Sequence, residues 1–139
     1  MTTTLDVRVY YEDTDFSGVV YHANYLRYFE RGRTEAMRAA GGSHAALAAR
    51  DEPLAYTVRD LAIDYRAPAR VDDLLTIETT LTELRGARMV FEQSARRRET
   101  VLCAARVTVA CMTMTGRPRR LPADQRALFA RVMGQPGRT

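Results

Sequence analysis

Lysine is missing altogether from this 139-residue chain: all 21 of its basic residues are arginine. So complete a replacement reads as codon bias in a GC-rich genome and carries no functional message. No apolar run approaches the ~20 residues that span a bilayer as a helix. The opening segment, Met1-Thr2-Thr3-Thr4-Leu5-Asp6, has neither a basic stretch nor an apolar core. It is therefore not expected to be a signal peptide, and the expected address is the cytoplasm. Cysteine is scarce. Cys103 and Cys111 fall in one strand-like segment, where eight residues of extended chain put them roughly 26 Å apart. A disulfide needs its Cα atoms within about 7 Å, so the two are not expected to pair within the chain. Two thiols without ligand spacing do not call for a metal either, and both read as small buried residues. Internal repeats and low-complexity linkers are absent as well.

What remains is an ordinary globular composition. Hydrophobic residues make up 46% and charged residues 27%, which excludes wholesale disorder. The length suits a single domain, 1–139, able to bury most of its apolar surface. Net charge is only +4, and acidic residues interleave with the arginines, so no nucleic-acid stripe is indicated. Two local exceptions are Arg96-Arg97-Arg98 and the group Arg117, Arg119 and Arg120.

Leu5 to Tyr11 alternates apolar with polar residues, as a half-exposed strand does. A turn-rich loop follows, from Glu12 to Gly18. From Ala23 to Ala40 the period becomes helical: Tyr25, Phe29, Gly32, Ala36 and Ala40 recur at three and four, and Tyr28 and Met37 flank that stripe. Arg27, Arg31, Glu35 and Arg38 take the opposite face. Gly41-Gly42 ends the helix. Gly32 stands mid-stripe although glycine there costs about 1 kcal/mol against alanine, which predicts a close approach of the helix to a sheet. A short helix over 43–49 is expected next, then long strands near 54–66, 73–85, 87–98 and 101–115. The connections are marked by Val71-Asp72-Asp73, Arg85-Gly86 and Glu99-Thr100. Strands so closely spaced are antiparallel neighbours. A short amphipathic helix, Pro122 to Met133, with proline in its first turn, closes the chain. The order predicts an α+β layer arrangement, one long helix wrapped by a curved sheet. Its edges call for a second copy, so at least a dimer is expected.

Chemistry concentrates between Tyr10 and Leu26, where the first strand meets the long helix. Asp13 and Asp15 precede a helix start, where unpaired N–H groups favour negative charge. Gly18 lets the backbone turn sharply beside a ligand. A carboxylate on one side and an oxyanion binder on the other is what acyl transfer needs. An aspartate ahead of a helix is also a common cap, and the residues alone leave both readings open.

Asp13-Thr14-Asp15 through Asn24-Tyr25, with Phe29-Glu30 and Arg33-Thr34-Glu35, resembles the signature of the 4-hydroxybenzoyl-CoA thioesterase group, nearest to its Tol–Pal-associated acyl-CoA thioesterases. Ile63-Asp64-Tyr65, Ala67-Pro68-Ala69 and Arg119-Arg120-Leu121-Pro122 extend the resemblance over essentially the whole chain. It implies a hot-dog fold, with one central helix in a curved antiparallel sheet of about five strands. It also implies hydrolysis of acyl-CoA without cofactor or metal. The family's catalytic aspartate, three residues before the glycine, matches Asp15, which attacks the thioester or activates water. The backbone N–H that holds the thioester oxygen matches His22, and the subgroup also uses that histidine's side chain. Gly18, Val19, Val20, Tyr21 and Asn24 would form the substrate side of the site, Tyr21 and Asn24 being equally readable as structural. Asp13 reads as a holder of loop backbone, and Glu30, Arg33 and Glu35 as surface pairs.

Coenzyme A carries phosphates, which arginine grips through its planar fork. Arg117, Arg119 and Arg120 are thus candidate phosphate ligands, although solvated turns often look the same. Acidic acyl carrier protein would be drawn to the same surface. The acyl pocket is expected between helix and sheet or between subunits, with Tyr25, Tyr28 and Phe29 as candidate lining. Two other classes compete: a hot-dog hydratase or dehydratase acting on acyl thioesters, and a non-catalytic envelope interaction protein.

Overall fold

A computed structural model describes residues 1–133. The chain runs β1 (Thr2–Arg8), a 3-10 turn (Tyr11–Asp13), α1 (Asn24–Ala39), α2 (His44–Ala48), β2 (Leu54–Tyr65), β3 (Leu74–Arg85), β4 (Arg88–Arg97), β5 (Thr100–Thr113) and α3 (Ala123–Ala130). The five strands form one antiparallel sheet in the order β1-β3-β4-β5-β2. Two-residue turns join the central strands. Gly86 takes φ +59° between the paired Arg85 and Arg88, and Arg98 takes φ +55° between the paired Arg97 and Thr100. Positive φ is what a tight hairpin turn demands. The tail helix is shorter than its amphipathic pattern suggested, with Pro122 just ahead of Ala123–Ala130.

Helix α1 lies across the sheet on the face that its apolar stripe predicted. Tyr25, Tyr28, Phe29 and Met37 are buried against Leu75, Ile77 and Met89 among others. Gly32 explains the close approach: a Cβ there would sit 2.6 Å from Thr79 Oγ1, 2.9 Å from Ile77 Cγ2 and 3.0 Å from Gln93 Nε2. Directly beneath, the fully buried Gln93 donates to the Phe29 carbonyl and to Thr79 Oγ1, both at 2.8 Å. A polar core residue of this kind is tolerated because its hydrogen bonds are satisfied.

Arg33 departs from its expected surface role. It donates to Gln93 Oε1 at 3.0 Å, and burial pushes its guanidinium below its usual value. Glu35 does form an i,i+3 pair, but with Arg38. The long stem of Arg33 lets its head reach Gln93 on β4 from the helix, as long cationic side chains can.

Strand β2 forms one edge, and the segment after it crosses the fold to β3. On the way Val20 N–H donates to Ala69 C=O at 2.8 Å and Val19 bridges Arg70. This crossover supports the β1–α1 loop from below. The edge itself is open. Val58, Leu61 and Tyr65 on β2 are exposed, and a bulge interrupts its register between Val58 and Asp60. Among the described residues no helix is long and apolar enough to cross a membrane. Cys103 and Cys111 are buried, unpaired thiols on β5.

Candidate active site

The loop between β1 and α1 is a miniature hairpin. Asp15 N–H donates to Val19 C=O at 2.9 Å, Gly18 N–H to Asp15 C=O at 3.0 Å and Tyr21 N–H to Asp13 C=O at 2.9 Å, and Thr14 bridges Val20. Gly18 supplies its turn at φ +81°, with open space where a side chain would stand. Conformation, more than crowding, therefore selects glycine there.

Asp13 anchors this hairpin. Its carboxylate accepts from Tyr10 N–H at 2.8 Å and from the buried Asn24 Nδ2 at 3.0 Å. The expected loop-holding role is thus filled, and Asn24 is its partner at the first residue of α1.

Asp15 is different. Its carboxylate lies exposed and accepts from Ser17 Oγ at 2.6 Å and Ser17 N–H at 2.9 Å. The Ser17 hydroxyl, helped by backbone N–H groups, holds its carboxyl below the usual carboxylate range. Asp15 does not cap α1: its carboxylate is taken up by Ser17, and the helix starts at Asn24 behind Ala23 with no side-chain cap. The capping alternative is excluded, and what stands at the loop tip is an ionised, solvent-facing carboxylate.

The helix entrance supplies the complementary charge. Asn24 N–H donates to Tyr21 C=O at 2.8 Å and Leu26 N–H to Ala23 C=O at 3.1 Å, while the N–H groups of His22 and Ala23 have no acceptor among the described residues. Free N–H groups at a helix start bind a developing oxyanion. The His22 ring is exposed and tilts against Tyr21, centroids 4.6 Å apart.

The other predicted positions divide. Gly18, Val19 and Tyr21 lie in the same loop as Asp15 and His22, and Tyr21 is half exposed. Val20 is buried in the core. Arg117, Arg119 and Arg120 follow the far end of β5. Thr113 pairs with Leu54 there, whereas Cys103 pairs with Tyr65 beside the site. That is about 33 Å of extended strand. Arg119 pairs with Glu52 at 3.2 Å, while Arg117 and Arg120 are exposed.

A cavity of about 460 Å³ opens between α1 and the sheet. It begins at Leu26, one turn beyond His22, and continues past Phe29, Glu30, Arg33 and Met37 over Leu61, Phe91 and Val107. Its apolar lining with few polar groups is that of a ligand pocket. Phe29 contributes as expected, but Tyr25 and Tyr28 do not. Both are buried in the core beside Phe29 and do not reach the cavity.

Comparison with known proteins decides the family. The profile of the Thioesterase superfamily matches residues 17–104. This chain belongs to the thioesterase superfamily. The thioesterase is 48% identical over 134 residues to the acyl-CoA thioester hydrolase YbgC of Escherichia coli O6:H1, covering 93% of this chain and 98% of that one. It is 46% identical over 124 residues to the acyl-CoA thioesterase YbgC of Haemophilus influenzae, covering 88% and 90%. Among solved structures, a probable thioesterase from Bartonella henselae superposes with a TM-score of 0.85 at 45% identity, covering 88% of this chain and all of that one. The thioesterase fold extends to remote sequences: a DHNA-CoA thioesterase from Staphylococcus aureus matches at TM-score 0.87 and 21% identity over 94% and 90%. The α+β hot-dog architecture expected from the sequence is that of the superfamily.

Tyr65 was not singled out as a site residue by sequence. Its hydroxyl donates to the His22 carbonyl at 2.7 Å, joining the end of β2 to the helix entrance across 43 positions of chain. Nothing local in the sequence signals that contact. Ser17 was not singled out either, although a serine two residues after an aspartate has the spacing at which an Asx turn closes.

Proposed function

We propose that the protein hydrolyses acyl-CoA to the free acid and coenzyme A, with Asp15 as the reacting carboxylate. The observation that carries this reading is the ionised, uncapping carboxylate of Asp15, on the same short loop as the unpaired N–H groups of His22 and Ala23. The thioester oxygen rests on the His22 N–H, which stabilises the charge that develops on it. Asp15 then either attacks the carbonyl carbon, giving an acyl-aspartyl anhydride that water cleaves, or takes a proton from the attacking water. In both routes the C–S bond breaks and the departing thiolate takes up a proton, for which the His22 imidazole is the nearby shuttle. The acyl chain enters the cavity along α1.

The assembly completes the substrate site. The exposed β2 edge, with Val58, Leu61 and Tyr65, suits pairing with a second copy in a homodimer or homotetramer. Antiparallel pairing of two β2 edges sets one copy's Leu54 end beside the other's Tyr65 end. Arg117, Arg119 and Arg120 of one copy then serve the phosphates of the coenzyme A held by the other. The same arginines receive acidic acyl carrier protein as an alternative donor. The protein works in the cytoplasm as one domain over 1–139, of which 134–139 lie outside the described residues. Thiol release from a panel of acyl-CoAs, from short aliphatic to aromatic, tests the activity. Hydration of an enoyl thioester without thiol release would favour the hydratase class instead.

A further inference from the structure

The peptide between His22 and Ala23 has an unusual supporter. In a regular helix the His22 carbonyl would accept from the N–H four residues on, that of Leu26. Here Leu26 N–H turns to Ala23 C=O instead. The His22 oxygen is left to the Tyr65 hydroxyl, 2.7 Å away. Tyr65 is itself held in place. Its ring meets Tyr25 edge-on at 5.8 Å between centroids and His22 at 6.3 Å, and β2–β5 pairing fixes its backbone opposite Cys103. Partial desolvation raises its phenol above the usual range, so at neutral pH the hydroxyl keeps the proton that it donates.

A trans peptide is planar, with its C=O and N–H pointing in opposite directions. A donor that fixes the His22 oxygen therefore also fixes the direction of the Ala23 N–H, the group that has no acceptor among the described residues. Drawing charge toward the oxygen also makes that N–H a stronger donor, because hydrogen bonds along a chain polarise one another.

Resting on the thioesterase reading above, we propose that Tyr65 is a positioning residue for hydrolysis. It holds the His22–Ala23 peptide so that the Ala23 N–H joins the His22 N–H as a second donor to the thioester oxygen. The role reaches the substrate only through the peptide, so it should appear in the transition state and leave ground-state binding nearly unchanged.

Tyr65→Phe tests this, since it keeps the ring packing and deletes only the hydroxyl. The expected result is a fall in kcat of about tenfold, less than the ~10²- to 10³-fold of removing an oxyanion donor outright, with KM within about twofold. A second readout is the carbonyl stretch of benzoyl-CoA bound to the slow Asp15→Asn protein. It should lie to lower frequency than in water and move back toward the water value when Tyr65→Phe is added. This reports on bound, folded protein even if Tyr65→Phe lowers the melting temperature. An unchanged kcat, or a lowered kcat with an unmoved carbonyl stretch, overturns the proposal. Failure of the thioesterase reading looks different: the wild-type protein would then release no thiol from any acyl-CoA.

Discussion

Replacing Gly32 with alanine pits two physical effects of opposite sign against each other. Helix propensity alone favours the substitution by about 1 kcal/mol, because Gly32 lies in the interior of α1. The sheet opposes it. The new methyl would stand 2.6 Å from Thr79 Oγ1, 2.9 Å from Ile77 Cγ2 and 3.0 Å from Gln93 Nε2. None of these is the loose end of a surface side chain: Thr79, Ile77 and Gln93 are all buried. Forcing a methyl into a packed core costs about 1–3 kcal/mol. Displacing Thr79 or Gln93 also strains the buried bonds between them and to the Phe29 carbonyl, and an orphaned buried polar group costs a further ~1–3 kcal/mol. The balance is a net loss of about 1–5 kcal/mol. With a urea slope of roughly 1.5 kcal/mol/M for a chain of this size, the midpoint should fall by at least about 0.7 M at unchanged slope. Urea unfolding followed by circular dichroism at 222 nm measures it. An equal or higher midpoint for Gly32→Ala would refute the claim that contact with the sheet dictates glycine here.

Other expectations come from the titrating groups. The proposed reaction needs Asp15 ionised, so under it activity is present above the folded pKa of that carboxyl and lost as pH falls through it. Because the Ser17 hydroxyl is the main cause of the lowered pKa, Ser17→Ala should move the acid limb of the kcat/KM profile to higher pH. An unmoved limb would show that Ser17 does not tune Asp15. Burial pushes the Cys103 thiol up to about 12 and raises that of Cys111 as well. Both should therefore resist Ellman's reagent in the native protein and react together on unfolding. Rapid native labelling of either would contradict their burial on β5.

The elements that sequence reveals best here are those whose side-chain period is long and undisturbed. The stripe from Tyr25 to Ala40 foretold α1 to within a residue at each end, and Gly32 foretold the sheet beneath it, because a glycine in a helix interior needs a reason. The loop between β1 and α1 was readable for the same kind of cause: Asp15, Gly18 and the helix start are close in sequence, so local geometry is constrained. Contacts that depend on strand order were not readable. The place of β2 at the sheet edge, and hence the approach of Tyr65 to His22, follows from a crossover that no local pattern encodes. Arg33 misled for a related reason. Its spacing to Glu30 satisfies the rule for surface pairs, but the acceptor that claims it, Gln93, lies sixty positions away on β4. Likewise the distance from Arg117, Arg119 and Arg120 to Asp15 appears only once the length and direction of β5 are known.

The most direct test is thiol release from acyl-CoA by the wild-type protein and Asp15→Asn side by side. The substitution preserves size and removes the charge, so a carboxylate that reacts or acts as base should reveal itself as a loss of about 10²- to 10⁴-fold in kcat. Hydrolysis by the wild type that collapses in Asp15→Asn, with the melting temperature unchanged, is the predicted result. Equal turnover by both proteins would mean that the reacting group lies elsewhere in the molecule.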